Sequence, residues 1–544
     1  MCDAKLISRS LKLKTLASKL SKMPKITIDN REVEVPQGAT ILDAARKLGI
    51  DIPTLCHLPD FPANTSCMVC VVKVDGRERL LPSCATVVRD GMHVENDIEE
   101  VRQARKSALE LLLSDHLGDC IAPCHNTCPA HMNIPLMIRQ IAAGQLHDAI
   151  VTIKQEIALP AVLGRICPAP CEKACRRRAH DNPVSICLLK RFAADTDLNS
   201  DTPYLPQRKT YNNKKVAIVG AGPAGLSAAY YLQQQGCRCT VIDDHDKPGG
   251  MLRCGIPNSE LPHKVLDAEI AQIEKLGVKF RLNTKITKSS FKRLQKDYDA
   301  VLVATGPLDQ DQIAEFNIPA GTHGVKVDTQ TLRTEIPGVF AAGDCIRKRQ
   351  LAVRAGAEGK TAAHAIIKSL NGKTTFESPN LYSTHIGKLQ NGEMEKFLAE
   401  AADIPRLEPK KKSNGGFTPD QAHNESSRCL HCDCRKPDTC KLRQYSQQYH
   451  AQTNRYKAPR RTFEQLRQHA DIIFEPGKCI ACGICIQITA RHREDFGLTF
   501  IGRGFDVRVK VPLNQNLDQA LKKTAAQCVN ACPTGALAFK NQPK

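Results

Sequence analysis

Residues 215–226, Lys-Val-Ala-Ile-Val-Gly-Ala-Gly-Pro-Ala-Gly-Leu, leave few choices for the fold around them. The apolar run Val216–Val219 has the composition of a strand buried on both faces, as in a parallel sheet. It breaks into Gly220-Ala-Gly222-Pro-Ala-Gly225 and continues as Leu226-Ser-Ala-Ala-Tyr-Tyr-Leu, a helical pattern. Gly220 permits the tight turn, Gly222 lets the backbone approach a diphosphate, and Gly225 lets helix and strand pack closely. The unpaired N–H groups at the positive end of that helix then face the anion. A second strand, Arg238-Cys-Thr-Val-Ile, ends at Asp243, 23 residues after Gly220, where a carboxylate can accept hydrogen bonds from a ribose 2′-OH. Strand, glycines, helix, strand and acid in this order predict a Rossmann-like dinucleotide site.

The cysteines constrain the rest. There are 25 in 544 residues, in groups, with no Trp. A chain of this length should hold roughly three to four domains. No secretory h-region and no apolar run of membrane-spanning length is present, so the expected location is cytoplasmic, and grouped Cys read as metal or cluster ligands rather than disulfides. The net charge of +20 is spread along the chain and aromatics are only 4%, which argues against a nucleic-acid partner. The charge reads instead as partner docking and compensation for anionic cofactors. Residues 1–22 form a basic extension with Leu6, Leu13, Leu16 and Leu20 at helical spacing, transit-peptide-like in character. A solvated extension or an upstream start explains it equally well, and Met23 is a natural beginning.

From Lys25 the pattern predicts a strand (25–29), a turn, a strand (32–35) and a helix (40–48). Cys56, Cys67, Cys70 and Cys84 follow as C-x10-C-x2-C-x13-C. Four thiolates from a long loop and a hairpin can enclose two irons, although a structural zinc also accepts four Cys. The spacing, with Leu55-Cys-His-Leu-Pro and Cys67-Met-Val-Cys-Val-Val, resembles the N-terminal ferredoxin domain of the large Fe–S subunit of respiratory complex I and of iron-only hydrogenases. The resemblance covers residues 23–118 and implies a β-grasp fold holding a [2Fe–2S] centre.

A helix over 98–113 leads to His116-x3-Cys120-x3-Cys124-x3-Cys128-Pro. His116 and Cys120 are similar to the complex I site of one His and three Cys, with different spacing afterwards. Cys124-His-Asn-Thr-Cys128-Pro, with Gly164-Arg-Ile-Cys167-Pro-Ala-Pro-Cys171-Glu-Lys-Ala-Cys175, resembles the helical two-cluster domain of glutamate synthase small subunits and dihydropyrimidine dehydrogenase. That resemblance implies one [4Fe–4S] set of Cys120, Cys124 and Cys175 and another of Cys128, Cys167 and Cys171. The fourth ligands stay open. His116 is a candidate for the first, or a solvated helix-end histidine. The family's Glu/Gln ligand falls near Lys190, so Cys187 is a substitute candidate for the second, or a plain core cysteine.

The segment Lys247-Pro-Gly249-Gly250-Met-Leu-Arg253-Cys-Gly-Ile-Pro257 is similar to the stretch that wraps the flavin in the same family. Gly250 and Arg253 are therefore candidate FAD contacts, Arg253 to a phosphate. Cys254 lacks a second Cys at redox-disulfide spacing and reads as packing. Gly338-Val-Phe-Ala-Ala-Gly343-Asp344 follows a helix (260–276) and a strand from Asp299. The resemblance gives Gly343 and Asp344 to the ribityl chain. Here the chain departs from the family, which inserts a second Rossmann domain for NADPH between the counterparts of Gly306 and Gly338. This chain has about thirty residues there, too few for another βαβαβ unit.

Residues 375–428 are polar and linker-like, and lead to Cys429, Cys432, Cys434 and Cys440, which suit a [4Fe–4S] cluster or a zinc knuckle. The last domain has Cys479-x2-Cys482-x2-Cys485 and a distant Cys532-Pro, the bacterial-ferredoxin arrangement for one cubane. Thr489 stands where a second cluster would need Cys, and Cys528 is left free.

The expected organisation is multidomain, α+β and α/β. A basic extension (1–22) precedes a β-grasp ferredoxin domain (23–100), a helical Fe–S domain (101–205), a Rossmann-like FAD domain (206–375), a linker with a Cys-rich segment (376–455) and a ferredoxin-like domain (456–544). The resemblances imply FAD, one [2Fe–2S] and two to four [4Fe–4S] centres in an electron-transfer subunit of a larger oxidoreductase. Partners of the formate dehydrogenase, hydrogenase or NADH-oxidising flavoprotein kind follow from them. No Ser/His/Asp set, HExxH or P-loop supplies catalytic residues. Two alternatives stay open: a stand-alone glutamate synthase small-subunit-like NAD(P)H oxidoreductase, and a zinc-rich scaffold.

Overall fold

A computed structural model describes residues 23–372, 382–409, 415–456 and 460–540; the basic extension 1–22 lies outside them. The chain divides into two compact units. One consists of Met1–Ile121, Leu381–Lys396 and Asp433–Lys544, and the other of Ala122–Asn380 and Phe397–Cys432. The first unit is therefore discontinuous in sequence, and most of the second is inserted after Ile121.

In the first unit, β1 (Lys25–Ile28) and β2 (Arg31–Glu34) form a hairpin whose two turn residues, Asp29 and Asn30, both have positive φ, 47° and 64°. That is the primed turn whose twist suits a two-residue loop, and Asp and Asn tolerate it. β3 (Val71–Val74), β4 (Leu81–Pro82) and β5 (His93–Glu95) complete a sheet of order β2-β1-β5-β3-β4, with β1 and β5 parallel. Helix Ile41–Lys47 starts at a capping box of Thr40 and Asp43 and buries Ile41, Leu42, Ala44 and Ala45. Helix Glu99–Ser114 follows, and its buried Arg105 donates to Val71 O at 2.9 Å, Asn96 Oδ1 at 2.7 Å and Tyr449 Oη at 3.0 Å. The C-terminal part pairs Ile472–Phe474 with Leu537–Phe539, antiparallel, around helices Ile484–Arg491 and Ala525–Ala531. Leu55, Leu109, Leu113, Phe474, Ile488 and Leu537 belong to one core, so the ends of the chain's first and last segments share a single apolar interior.

The second unit begins with helices Ile134–Ala142, Leu146–Lys154, Pro160–Ile166 and Ile186–Leu198, joined by Pro419–Ser427. Its other half is a five-stranded sheet. β6 (Lys215–Val219), β7 (Arg238–Ile242), β8 (Lys279–Arg281), β9 (Ala300–Val303) and β10 (Val339–Ala341) are all parallel, in the order β10-β9-β6-β7-β8. The strand order reverses at β6, and the crevice beyond the carboxyl ends of such strands is where ligands bind. Between β9 and β10 the chain contributes one short helix, Gln310–Glu315, and an isolated bridge, Ala320 to Val325. Among the described residues this is the one Rossmann-type sheet.

Candidate cofactor sites

In the β-grasp region the four thiols stand as two pairs. Cys56 is hydrogen-bonded with Cys67, and Cys70 with Cys84, so that one member of each pair is held below the usual thiol range by the other. All four are buried. A tetrahedral zinc with Zn–S near 2.3 Å would draw all four sulfurs to within about 4 Å of one another. Among the described residues the one trio of potential ligand atoms within 4.8 Å of each other is Asp243, Asp244 and His245. Two hydrogen-bonded pairs of thiols suit a two-iron centre.

The next set was not legible as a unit. Cys434 donates its backbone N–H to Cys120 O at 3.4 Å, and Cys120 and Cys434 are both among the charges acting on the buried Cys440 thiol. A Cβ on Gly535 would lie 2.3 Å from Cys434 Sγ, so glycine is required there for the sulfur to fit. The loop carrying Cys120 is held by the returning segment: Thr384 Oγ1 donates to Gly118 O at 2.7 Å and Ile386 N to Asp119 Oδ1 at 2.9 Å. His116 has its Nδ1 enclosed without a partner, and burial, then the nearby Lys478 ammonium, pushes it down to about 4. It is a neutral imidazole, the form that ligates metal. His116, Cys120, Cys434 and Cys440 thus converge within the first unit.

Cys479, Cys482, Cys485 and Cys532 line one small pocket with Ile484, Pro533 and Thr534. Cys528 is buried beside it, its Sγ 3.9 Å from Cys485 O. These three sets are contiguous in the first unit. Asn64, in the β-grasp ligand loop, donates to Cys482 O at 2.7 Å, and the Cys56 thiol acts on Cys482. On the other side the Cys532 thiol acts on Cys440.

The second unit holds eight further cysteines of the candidate set. Cys187 is hydrogen-bonded to both Cys167 and Cys171, and these three, with Cys128, surround the buried Lys190. Gly164 allows that approach, because a Cβ there would sit 2.7 Å from Arg191 Cβ on the neighbouring helix. Cys187 thus stands beside two of the candidate ligands, Cys167 and Cys171. The remaining four are Cys124, Cys175, Cys429 and Cys432. Cys429 is buried in the helical core, with Cys124 and Cys175 packed against it. Arg177, just after Cys175, donates to Arg428 O at 2.7 Å, while Arg428 pairs with Asp181 at 2.8 Å. These bonds bring the Cys429–Cys432 segment to Cys175.

The division between the units falls within two cysteine runs. Cys120 lies in the first unit, and Cys124 and Cys175 lie in the second. Cys429 and Cys432 lie in the second unit, and Cys434 and Cys440 lie in the first. Equal x3 spacing hides the first break: helix Glu99–Ser114 has ended, and a new helix begins at Pro123.

At the dinucleotide loop Gly220 has φ +109° and a Cβ there would lie 2.3 Å from Ala304 O; one on Gly225 would lie 2.0 Å from Gly220 O. Gly222 is different. A Cβ on it meets nothing within 4 Å, and it caps helix Pro223–Gln234 without any side-chain hydrogen bond. An uncapped helix N-terminus facing open space suits a diphosphate. Gly250, at φ +52°, backs onto Gly222. Asp243 braces this loop, accepting from Ala221 N at 2.6 Å and, on its other oxygen, from His245 N at 3.0 Å. Arg253 bonds Pro248 O and is ion-paired with Asp267, stabilising the 247–250 turn. Asp344 accepts from Arg349 N and Gln350 N, at 3.2 and 3.0 Å. Glu358, which no sequence motif flagged, takes Gly343 N at 3.0 Å and pairs with Arg349. Cys254 is exposed, which corrects its reading as a packing residue.

Four family descriptions match the chain. Residues 21–98 match "2Fe-2S iron-sulfur cluster binding domain" and residues 96–202 match "Dihydropyrimidine dehydrogenase domain II, 4Fe-4S cluster". Residues 218–267 match "NAD(P)-binding Rossmann-like domain" and residues 253–359 match "Pyridine nucleotide-disulphide oxidoreductase". NADP(+)-dependent formate dehydrogenase subunit beta of Moorella thermoacetica is 42% identical over 207 residues, 34% of this chain and 29% of that protein. NADPH-Fe(3+) oxidoreductase subunit beta of Geobacter sulfurreducens (strain DL-1 / KN400) is 36% identical over 261 residues, 47% of this chain and 37% of that protein. The PreT subunit of NAD-dependent dihydropyrimidine dehydrogenase from Escherichia coli O157:H7 is 42% identical over 189 residues, 34% of this chain and 45% of that protein. The chain spans less than half the length of each of these relatives. Its iron–sulfur and flavin-type nucleotide-binding domains are those of an oxidoreductase. No helix among the described residues is long and apolar enough to cross a membrane.

Proposed function

We propose that this chain is an electron-transfer subunit of a larger, cytoplasmic oxidoreductase, in which a flavin joins the relay of clusters. The observation that carries the reading is the contiguity of the first unit, where Cys56, Cys440 and Cys482 belong to one apolar core with Cys532 packed against it, and Asn64 of the β-grasp loop donates to Cys482 O at 2.7 Å. Isolated structural metals need no such chain of sites. When bound, FAD exchanges electrons in ones and twos, and the iron–sulfur centres carry them singly. Gly220, Gly222, Gly225 and Gly250 shape the FAD diphosphate site, with Asp243 bracing it and able to receive the ribose; Arg253, Gly343 and Asp344 hold the turns around the rest.

The ligand assignment has five sets. Cys56, Cys67, Cys70 and Cys84 hold a [2Fe–2S] centre. Four [4Fe–4S] centres belong to His116/Cys120/Cys434/Cys440, Cys479/Cys482/Cys485/Cys532, Cys124/Cys175/Cys429/Cys432 and Cys128/Cys167/Cys171/Cys187. Cys56, Cys67, Cys70 and Cys84 are all buried, which shields that set from water. The segment between β9 and β10 lacks room for a second nucleotide domain, which favours electron delivery by another subunit over direct NAD(P)H oxidation. Partners of the formate dehydrogenase, hydrogenase or NADH-oxidising flavoprotein kind fit this role.

Metal and flavin analysis of the anaerobically purified chain tests the assignment, with about 18 Fe, one FAD and little zinc expected per chain. Mixing it with NADPH or NADH alone tests the role. The flavin absorbance should stay oxidised until a redox partner is added, and direct bleaching would favour the stand-alone reductase.

A further inference from the structure

Two buried lysines stand beside proposed ligand sets, one in each unit, and their charges are treated differently. Lys478, near His116 and Cys434, is 3% exposed and ion-paired with Glu475. Lys190 is 4% exposed, one turn beyond Cys187 on helix Ile186–Leu198, and its Nζ lies 3.9 Å from Cys187 Sγ. Among the described residues no carboxylate is paired with it. The acids on the surrounding elements are already engaged. Glu172 accepts from Cys187 N and pairs with Arg406, Asp195 pairs with Arg165 and Arg191, and Asp197 pairs with Lys154.

Burying an ammonium is costly unless opposite charge faces it. Four neutral thiols would not offset that cost, whereas a thiolate-bound cluster would. Cys187 offers a sulfur one turn before Lys190 on the same helix. A centre that accepts an electron gains one unit of negative charge, and a fixed cation in a low-dielectric interior stabilises that reduced state.

We propose that Lys190 is a fixed counter-charge that raises the reduction potential of the cluster held by Cys128, Cys167, Cys171 and Cys187. The proposal rests on Cys187 closing that ligand set. Lys478, by contrast, has its carboxylate partner in Glu475.

The test uses the full chain, purified anaerobically, with iron counted per chain and an EPR-monitored redox titration. Cys187→Ser identifies the signal that belongs to this set. In Lys190→Met that signal should titrate at a more negative potential with iron content and the other signals unchanged, and Lys190→Arg should stay near the parent. If Cys187→Ser alters no signal, the ligand set is wrong and the inference falls with it. If Cys187→Ser alters a signal whose midpoint Lys190→Met leaves in place, the set stands and the role of Lys190 is overturned. Loss of iron in Lys190→Met also overturns it, in favour of a purely structural role.

Discussion

The backbone N–H of Cys434 donates to the carbonyl of Cys120 at 3.4 Å, so two cysteines that bracket the second unit in sequence meet inside the first. The chain leaves the first unit after Ile121, next to Cys120, and returns for good at Asp433, next to Cys434. A cluster ligated from both sides of that excursion closes a long loop, and loop closure is the entropic cost that such a bond removes from the unfolded chain.

That relationship separates Cys434 from Cys432, although they are near neighbours in sequence. Cys434→Ala and Cys429→Ala should each cost about four of the roughly 18 irons per chain, from different clusters. The double variant should then lose about eight, as measured by iron assay and by the disappearance of two distinct EPR signals. A loss of only four in the double variant would restore the single-knuckle reading.

Glycine substitutions in the dinucleotide loop should split into two phenotypes. A Cβ at 225 collides with Gly220 O, whereas a Cβ at 222 meets open space. Gly225→Ala should therefore lower thermal stability by about 2 kcal/mol or more, through strain and displaced backbone. Gly222→Ala should leave the unfolding midpoint of the flavin-free protein unchanged and reduce FAD per chain. Calorimetry and flavin absorbance measure the two effects separately.

Glu269 is fully enclosed and accepts from Ala161 N and Val162 N, each at 2.8 Å. Burial pushes its carboxyl up to about 7, against those two donors. A carboxyl whose folded-state value is raised favours the folded state while protonated. That contribution is full below the ordinary value of 4.5 and is lost as pH rises through about 7. The difference corresponds to about 3 kcal/mol. Glu269→Gln should remove this decline, so its denaturant midpoint between pH 5 and pH 8 (roughly the window set by the shift) should be flatter than the parent's.

Arg105 ties β3 to the C-terminal part of the first unit through Val71 O, Asn96 Oδ1 and Tyr449 Oη. Arg105→Met keeps most of the side-chain volume and leaves those buried acceptors unmet, at a cost of about 3 kcal/mol. The expected readout is a lower melting temperature together with a broadened [2Fe–2S] EPR signal, since Val71 adjoins Cys70. An unchanged melting curve would mean that water or relaxation satisfies these groups.

Local order was legible from residues alone. The hairpin 25–34, the helix after Thr40, the β6-glycine-helix turn and the Cys479 loop are set by nearest-neighbour chemistry: turn residues, a capping box, periodicity, and spacing that fixes which thiols share one loop. Long-range pairing was another matter. Cys120 with Cys434, and Arg177 with the Arg428 carbonyl, lie on separate segments, and nothing local to either partner marks the other.

The residue types and their spacing by themselves determined the kinds of site: a dinucleotide loop, a four-cysteine pattern open to two irons or to zinc, and a ferredoxin loop. Thiolate number and glycine conformation are properties of short segments, so they are written in the chain. Which distant segments approach one another was decided by the tertiary structure alone. The boundaries between units fall within cysteine runs, after Ile121 and after Cys432, and only packing of segments far apart in sequence brings Cys434 to Cys120.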